Sequence, residues 1–199
     1  VTLTPPSAIV VGNPATFTLE ISGSDDAAIS TFTCSDPQAV FVFPAGTGLG
    51  GNEVMLGNGT HGFLLDTRVT GDLTVTVRVS DGSGHSVQRQ CTVTSRYPKF
   101  SAMIRTMSSA ALYSDSPMTL IIRSTEYAGD YTVSYTTTST NCRVSYGGSM
   151  LRPDSPVTLE AGQHIFTANS SYAERTEFVF TITDIYGQSQ QAQASITWR

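Results

Sequence analysis

The chain has 199 residues, a formal net charge of −5 and 14% charged side chains against 39% hydrophobic ones. It carries 28 Thr and 24 Ser but a single lysine, Lys99. Such a chain is apolar enough to fold and shows no electrostatic footprint for nucleic acid. It also lacks any apolar run near the ~18 residues of a membrane helix.

In chain order, residues 15–21 read as an early strand, 29–34 as the next, 41–43 as a short third and 62–66 as a fourth. Leu73, Val75, Val77 and Val79 then alternate with Thr74, Thr76, Arg78 and Ser80, the period of two that marks a half-buried strand. It runs into Asp81-Gly82-Ser83-Gly84. Asp starts turns through its side-chain acceptor and Gly tolerates positive φ, so a hairpin to a strand at 86–94 is predicted. The second half reads the same way, with strands at 118–123, 131–137, 143–146 and 165–169, then one carrying Phe178, Phe180 and Ile182. The turn Asp184-Ile185-Tyr186-Gly187 and a last strand at 189–197 follow. No 3.6-residue apolar period holds over eleven residues; 108–113 makes one helical turn at most.

The two halves are a repeat. A shift of 103 residues places Gly59, His61 and Phe63 on Gly162, His164 and Phe166, and Asp81, Gly84 and Ser86 on Asp184, Gly187 and Ser189. Over 59–94 against 162–197, nine of 36 positions are identical without a gap. Identities on turn residues and apolar matches on strand residues point to one ancestral unit used twice. The expected architecture is all-β: two tandem Ig-like β-sandwich domains, 1–96 and 97–199, end to end. The joint 95–99 is short and holds Pro98, so it reads as semi-rigid. The only tryptophan, Trp198, is not placed as in antibody domains, so the class is Ig-like rather than immunoglobulin proper.

The candidate chemistry is weak. Cys34, Cys91 and Cys142 have no C-x-x-C spacing, so metal and thioredoxin-like roles lack support. Cys34 and Cys91 share a half and are open either to bridging or to remaining buried thiols, with Cys142 left over. His61 and His164 read as turn residues rather than ligands or bases. Asp25-Asp26 and the two Asp-x-x-Gly turns fall short of the six to eight oxygens calcium takes. Gly46-x-Gly48-x-x-Gly51 matches a dinucleotide fingerprint only formally, because no helix follows it; it reads as a loop that can serve in binding. Asn58-Gly59-Thr60 and Asn169-Ser170-Ser171 match the N-glycosylation pattern, which matters only in a eukaryotic secretory host. No Gly-x-Ser-x-Gly elbow is present. No enzyme activity, metal or cofactor is implied. Aromatics concentrate in the second half, where Tyr127, Tyr131, Tyr146, Tyr172 and Tyr186 are the candidate interaction surface.

Tyr97-Pro98-x-Phe100, Tyr131-x-Val133-x-Tyr135, Leu151-Arg152-Pro153-Asp154, Phe166 and Asp184-Ile185-Tyr186-Gly187-Gln188-Ser189 carry a resemblance. Residues 97–198 resemble the small exported TraQ-type proteins encoded on conjugative transposons of Bacteroides-like bacteria. The family pattern has a Pro-Asn-Asp segment and an Asp-x-Phe-Gly turn; this chain lacks that Asn and carries Tyr186 in place of Phe. The resemblance implies an envelope location and an accessory role in conjugation, and it carries over no catalytic residues. The expectation is therefore a non-enzymatic exported protein of the periplasm or outer-membrane surface of a Gram-negative bacterium. It would bind other envelope proteins or act as a spacer, with a signal peptide and a lipid anchor lost upstream of Val1. The alternatives are a surface adhesin or glycan-binding module, and the accessory part of an enzyme whose catalytic domain lies elsewhere. The 81–84 and 184–187 turns are expected to match in geometry.

Overall fold

The computed structural model describes residues 1–24, 27–44 and 48–199. The Asp25-Asp26 pair and Gly46 of the glycine-rich stretch lie outside the described residues. The chain divides into two compact units, Val1–Pro98 and Lys99–Arg199.

The first unit runs β1 Thr2–Thr4, β2 Ile9–Val10, β3 Ala15–Ile21, β4 Ala28–Cys34, β5 Val40–Val42, β6 Gly48–Gly50, β7 Glu53–Leu56, β8 Gly59–Asp66, β9 Gly71–Ser80 and β10 Ser86–Arg96. Two sheets form, in the orders β1-β3-β8-β5 and β2-β10-β9-β4-β7-β6. The second unit runs β11 Ser101–Thr106, β12 Ser109–Ala110, β13 Ser116–Arg123, β14 Tyr131–Thr137, β15 Cys142–Tyr146, β16 Ser149–Leu151, β17 Val157–Leu159, β18 Gly162–Ser170, β19 Arg175–Thr183 and β20 Ser189–Trp198. Its sheets are β11-β13-β18-β15-β16 and β12-β20-β19-β14-β17. Each unit is thus a β-sandwich, and no helix occurs among the described residues. In both, a two-residue strand near the start pairs in parallel with the last strand, Ser95 and Arg96 on Ile9 and Val10, and Thr197 and Trp198 on Ser109 and Ala110. The single turn at 108–113 allowed by the sequence is therefore this short strand and its exit.

The alternating patterns place the cores. Leu73, Val75, Val77 and Val79 are buried on β9, as are Thr176, Phe178, Phe180 and Ile182 at the shifted positions on β19. Facing them from the other sheet are Phe17, Leu19 and Phe63 in the first unit and Leu120, Ile122 and Phe166 in the second. The repeated phenylalanine makes an edge contact in each core. Phe63 meets Phe32 at 4.6 Å and 63°, and Phe166 meets Phe180 at 4.9 Å and 65°. Such edge-to-face pairs add ~1 kcal/mol to the burial of the rings themselves. Trp198, the largest buried side chain, donates its indole N–H to Thr176 Oγ1 at 3.1 Å.

The two closing hairpins match in detail. Asp81 N–H donates to the His85 carbonyl at 3.0 Å, and Asp184 N–H to the Gln188 carbonyl at 3.0 Å. Gly84 and Gly187 sit at φ +86° and +80° in the first and second turns, the left-handed region where glycine carries no Cβ penalty. The expectation of equal turn geometry holds at these bonds and angles.

The bridging alternative for Cys34 and Cys91 is corrected. Both pair with Val75, from opposite sides of β9, so their Cα atoms stand two strand spacings apart, about 10 Å. A disulfide needs less than about 7 Å, and all three cysteines are free thiols. Cys34 and Cys91 pack half-buried against the first core, while Cys142 is buried in the second. Burial pushes the Cys142 thiol from the usual 9.0 to about 11; the nearby Glu174 charge adds to this and a hydrogen bond at Asn169 opposes it.

Val77 points into the core and Thr76 to the opposite face. Val77→Asp is expected to unfold the first unit at a cost of about 3 kcal/mol or more by burying an unpaired charge, and Thr76→Asp to cost roughly 1 kcal/mol. Urea unfolding of the two variants checks this; equal costs would refute the alternation. At pH 8 the thiolate fraction of Cys142 is expected to lie about a hundredfold below that of an ordinary cysteine. Iodoacetamide labelling followed by peptide mass spectrometry should therefore mark Cys34 and Cys91 well before Cys142. Because the folded state holds the Cys142 proton more tightly than the unfolded one, its share of stability is full below pH 9 and falls as pH rises through about 11.

Candidate functional site

The polar residues singled out in the sequence are engaged within their own turns. Asp81 Oδ1 accepts the backbone N–H groups of Ser83 and His85, each at 2.9 Å, and its Oδ2 pairs with His85 Nδ1 at 3.1 Å. Asp184 repeats this with the N–H groups of Tyr186 and Gln188 at 2.9 Å and the Gln188 side-chain amide at 3.0 Å. The slight desolvation of Asp81 would raise its pKa. The backbone and side-chain hydrogen bonds of His85 and the Ser83 N–H outweigh it and hold the carboxyl below its usual value.

The repeated histidines are turn locks. His61 Nε2 lies 2.8 Å from the Gly57 carbonyl, and His164 Nε2 lies 2.8 Å from the Glu160 carbonyl. A carbonyl only accepts, so Nε2 carries the proton in both. In the second unit this frees His164 Nδ1 to accept from the Tyr146 hydroxyl at 3.2 Å. The amides of the two glycosylation-pattern asparagines are also in use. Asn58 donates to the Ser24 carbonyl and accepts the Ser24 N–H, and Asn169 donates to Asp115. Among the described residues, no group of three or more His, Cys, Asp or Glu side chains is arranged to hold a metal ion.

Of the five tyrosines, three come together. Tyr127 meets Tyr131 edge-on at 5.4 Å and 87° and Tyr186 at 6.1 Å and 64°. Phe100, a residue of the Tyr97-Pro98-x-Phe100 motif that was not among the candidate surface residues, packs on Tyr131 at 4.9 Å. These rings close one end of the second sandwich, between the loop from β13 to β14 and the Asp184 turn. Tyr131 is wholly buried, so it belongs to the core and drops out of the candidate surface; Tyr127 and Tyr186, half-buried, form the accessible part of the cluster. Burial raises the Tyr127 phenol above its usual value, with Tyr131, Tyr186, Asp130 and Asp184 adding to the shift. Tyr146 lies elsewhere, packed at a tilt against Phe166 and bonded to His164, and Tyr172 stands apart and exposed.

Ser124 organises this end. Its hydroxyl donates to the Lys99 carbonyl at 2.9 Å and accepts the N–H groups of Tyr127 at 3.0 Å and Glu126 at 3.2 Å. Glu126 in turn accepts the Lys99 N–H at 2.8 Å. Tyr127 then reaches the Asp130 carbonyl through its hydroxyl at 3.2 Å. Beside the rings lies an open depression of about 640 Å³, with Phe100 and Ile122 on its apolar wall and Lys99 and Arg123 on its rim. An apolar floor with two cations suits an acidic or aromatic side chain of a partner.

The fold defines a tandem β-sandwich protein, and one end of its second unit presents aromatic and cationic side chains. The chain is similar to many solved structures, among them the following three. A conjugative transposon lipoprotein from Bacteroides eggerthii DSM 20697 has 14% identity and a TM-score of 0.45, over 51% of this chain and 98% of that one. A lipoprotein from Bacteroides thetaiotaomicron also has 14% identity and a TM-score of 0.45, over 51% of this chain and 82% of that one. Salmonella alpha-2-macroglobulin reacted with methylamine has 14% identity and a TM-score of 0.37, over the whole of this chain, which spans 16% of that one. No family model matches the chain, and no curated protein matches it. TraQ-type membership has no match of its own.

A Cβ at Gly129 would fall on the Tyr127 phenol. Gly129→Ala is expected to push Tyr127 out of the cluster and destabilise the second unit by about 1–3 kcal/mol. Near-UV circular dichroism and thermal unfolding check this; an unchanged tyrosine signal would show that the ring is not held here.

Proposed function

We propose that the protein is a non-enzymatic, exported envelope protein that binds other envelope proteins or spaces them, with an accessory role in a conjugative transfer apparatus. The observation that carries the reading is where the polar side chains are spent. Asp81, Asp184, His61, His164 and His85 serve their own turns. What remains presented is the Tyr127–Tyr186 end of the second unit with its Lys99 and Arg123 rim. Half-buried aromatics beside cations are the residue types that dominate protein–protein interfaces. The charge-poor, Thr-rich composition supports export, and the strand order of each unit, with a parallel pair joining its ends, supports the Ig-like class. The conjugative setting rests on the residue-level resemblance of 97–198 to TraQ-type proteins alone.

In-cell cross-linking in the native host, followed by mass spectrometry of what co-purifies, tests the reading. Conjugation-machinery or other envelope proteins should be recovered, with cross-linked peptides mapping to 99–101, 122–130 or 184–188. Tyr186→Ala should lower that yield about tenfold while the protein stays folded. Recovery of surface glycan or host protein instead would favour the adhesin alternative, and an unaffected yield in Tyr186→Ala would move the interface away from this end.

A further inference from the structure

The second unit holds a tyrosine where the first holds a turn glycine. Ser95 and Trp198 are equivalent under the 103-residue shift, and Ser95 pairs with Ile9 as Trp198 pairs with Ala110. Gly12 therefore corresponds to Tyr113. The backbone bonds agree: Gly12 N–H donates to the Thr67 carbonyl at 3.4 Å, and Tyr113 N–H to the Ser170 carbonyl at 2.9 Å. Both residues lie in the left-handed region, at φ 80° and 60°. Glycine does so freely, whereas a side chain there presses its Cβ toward the following carbonyl oxygen. The tyrosine that bears this strain is not held by the core. It is the most exposed large hydrophobic residue among those described, at 74%, and Tyr172 is 61% exposed. Ser170 ties the two together, its carbonyl accepting from Tyr113 N–H and its hydroxyl from Tyr172 N–H at 3.2 Å. Strain kept for a solvated side chain points to what that side chain presents.

A row of polar side chains adjoins the tyrosines. Arg143 pairs in register with Asn169, and Asn169 donates to Asp115 at 2.9 Å. Asp115 and Arg143 thus flank Asn169 two strand spacings apart, about 10 Å, too far to meet each other. Both are exposed, and neither forms an ion pair among the described residues. Exposed Met107 follows β11, whose last residue Thr106 pairs with Met118, so it lies at this same end. Tyrosine, methionine and arginine are enriched at protein interfaces and lysine is depleted there; the sole lysine, Lys99, precedes β11 and lies at the other end.

We infer that this end of the second unit is a self-association surface, which docks a second copy of the chain about a two-fold axis. The unpaired charges identify the occupant. A two-fold contact sets one patch against itself, so that residue i meets j while j meets i. Arg143 of each copy then meets Asp115 of the other, because a row with one cation and one anion at its two ends complements its own reversal. Tyr113, Tyr172 and Met107 supply the apolar part of the contact. β13 and β19 each run from this end to the Tyr127–Tyr186 end, so the two surfaces are separate and either can fail without the other.

The test is sedimentation velocity of the full chain over a concentration series. A monomer–dimer equilibrium with a Kd of about 10–100 µM is expected. Tyr113→Gly and Tyr172→Ala should each weaken it about tenfold. Arg143→Asp should weaken it about tenfold by setting carboxylates against each other, and adding Asp115→Arg should restore it. Since Tyr113→Gly relieves the left-handed strain, the Tm of the monomer, read at about 1 µM, should not fall. A monomer at every concentration up to about 1 mM would overturn the surface. So would a dimer indifferent to these substitutions, or a double variant without rescue. A Tm lowered by more than about 4 °C in Tyr113→Gly would make the tyrosine a structural residue and overturn the proposal with it.

Discussion

A single aspartate in each closing hairpin sets the frame on which the rest of each sandwich hangs. One carboxylate oxygen collects two backbone N–H groups, two and four residues ahead, so the five-residue turn has one preferred closure. That closure fixes Ser80 opposite Ser86 and Thr183 opposite Ser189. Because side chains alternate along a strand, a slip of one residue would turn every core side chain of β10 or β20 to solvent. The turn therefore determines that Val93 and Ile196, together with Trp198, reach the interior. Long-range burial and local turn chemistry favour the same register, the agreement across levels that gives one structure rather than several.

On that shared frame the two cores are filled differently. Val75, Val77 and Val79 of the first unit are replaced by Phe178, Phe180 and Ile182, and Ser95 by Trp198. The second unit takes this larger volume without a change in strand register, and two of its buried polar side chains find partners within it. Tyr135 donates to the Leu151 carbonyl at 3.2 Å, and Trp198 to Thr176. In the first unit a buried polar contact is made by Asp36 accepting from Thr67 at 2.7 Å, just past the ends of β4 and β8. Unpaired, each of these groups would cost about 1–3 kcal/mol, which is why the partners sit at fixed positions beside them.

Much of this was legible in the sequence, for identifiable reasons. The period of two in Leu73–Val79, the Asp-x-x-Gly turns and the 103-residue repeat are strong local signals, and the strands they predict are present. The strands at 2–4, 9–10, 48–50, 53–56, 101–106, 109–110, 149–151 and 157–159 were not visible, and the glycine-rich stretch read as a loop contributes the strand 48–50. Segments of two to four residues are too short to show a period, and the six-residue 101–106 is an edge strand without a fully buried face; the pairing of all of them is decided by tertiary contact. The candidate surface was legible only by residue type. Composition cannot tell Tyr131, which opens β14 on its inward face, from Tyr127 four residues earlier in the loop, and Phe100, which carries part of the family resemblance, gave no sign that it packs on Tyr131.

The repeat also explains why function should be sought at the ends of the sandwiches rather than along their strands. Positions that hold the frame stay alike in the two units: the aspartates, the turn glycines, the histidine locks and the central phenylalanines. Positions at the loop end diverge in size, from Ser24, Ala28 and Ser83 to Tyr127, Tyr131 and Tyr186. Divergence in volume at a fixed backbone changes what surface is offered without threatening the register that the aspartate turns maintain. Loops carried on a rigid sandwich are where such change is tolerated. The two units present unlike ends from one fold: an aromatic face with cations beside it in the second, and small side chains at the matching positions of the first. That contrast follows from these side chains, and it is the feature of this chain that a binding role would use.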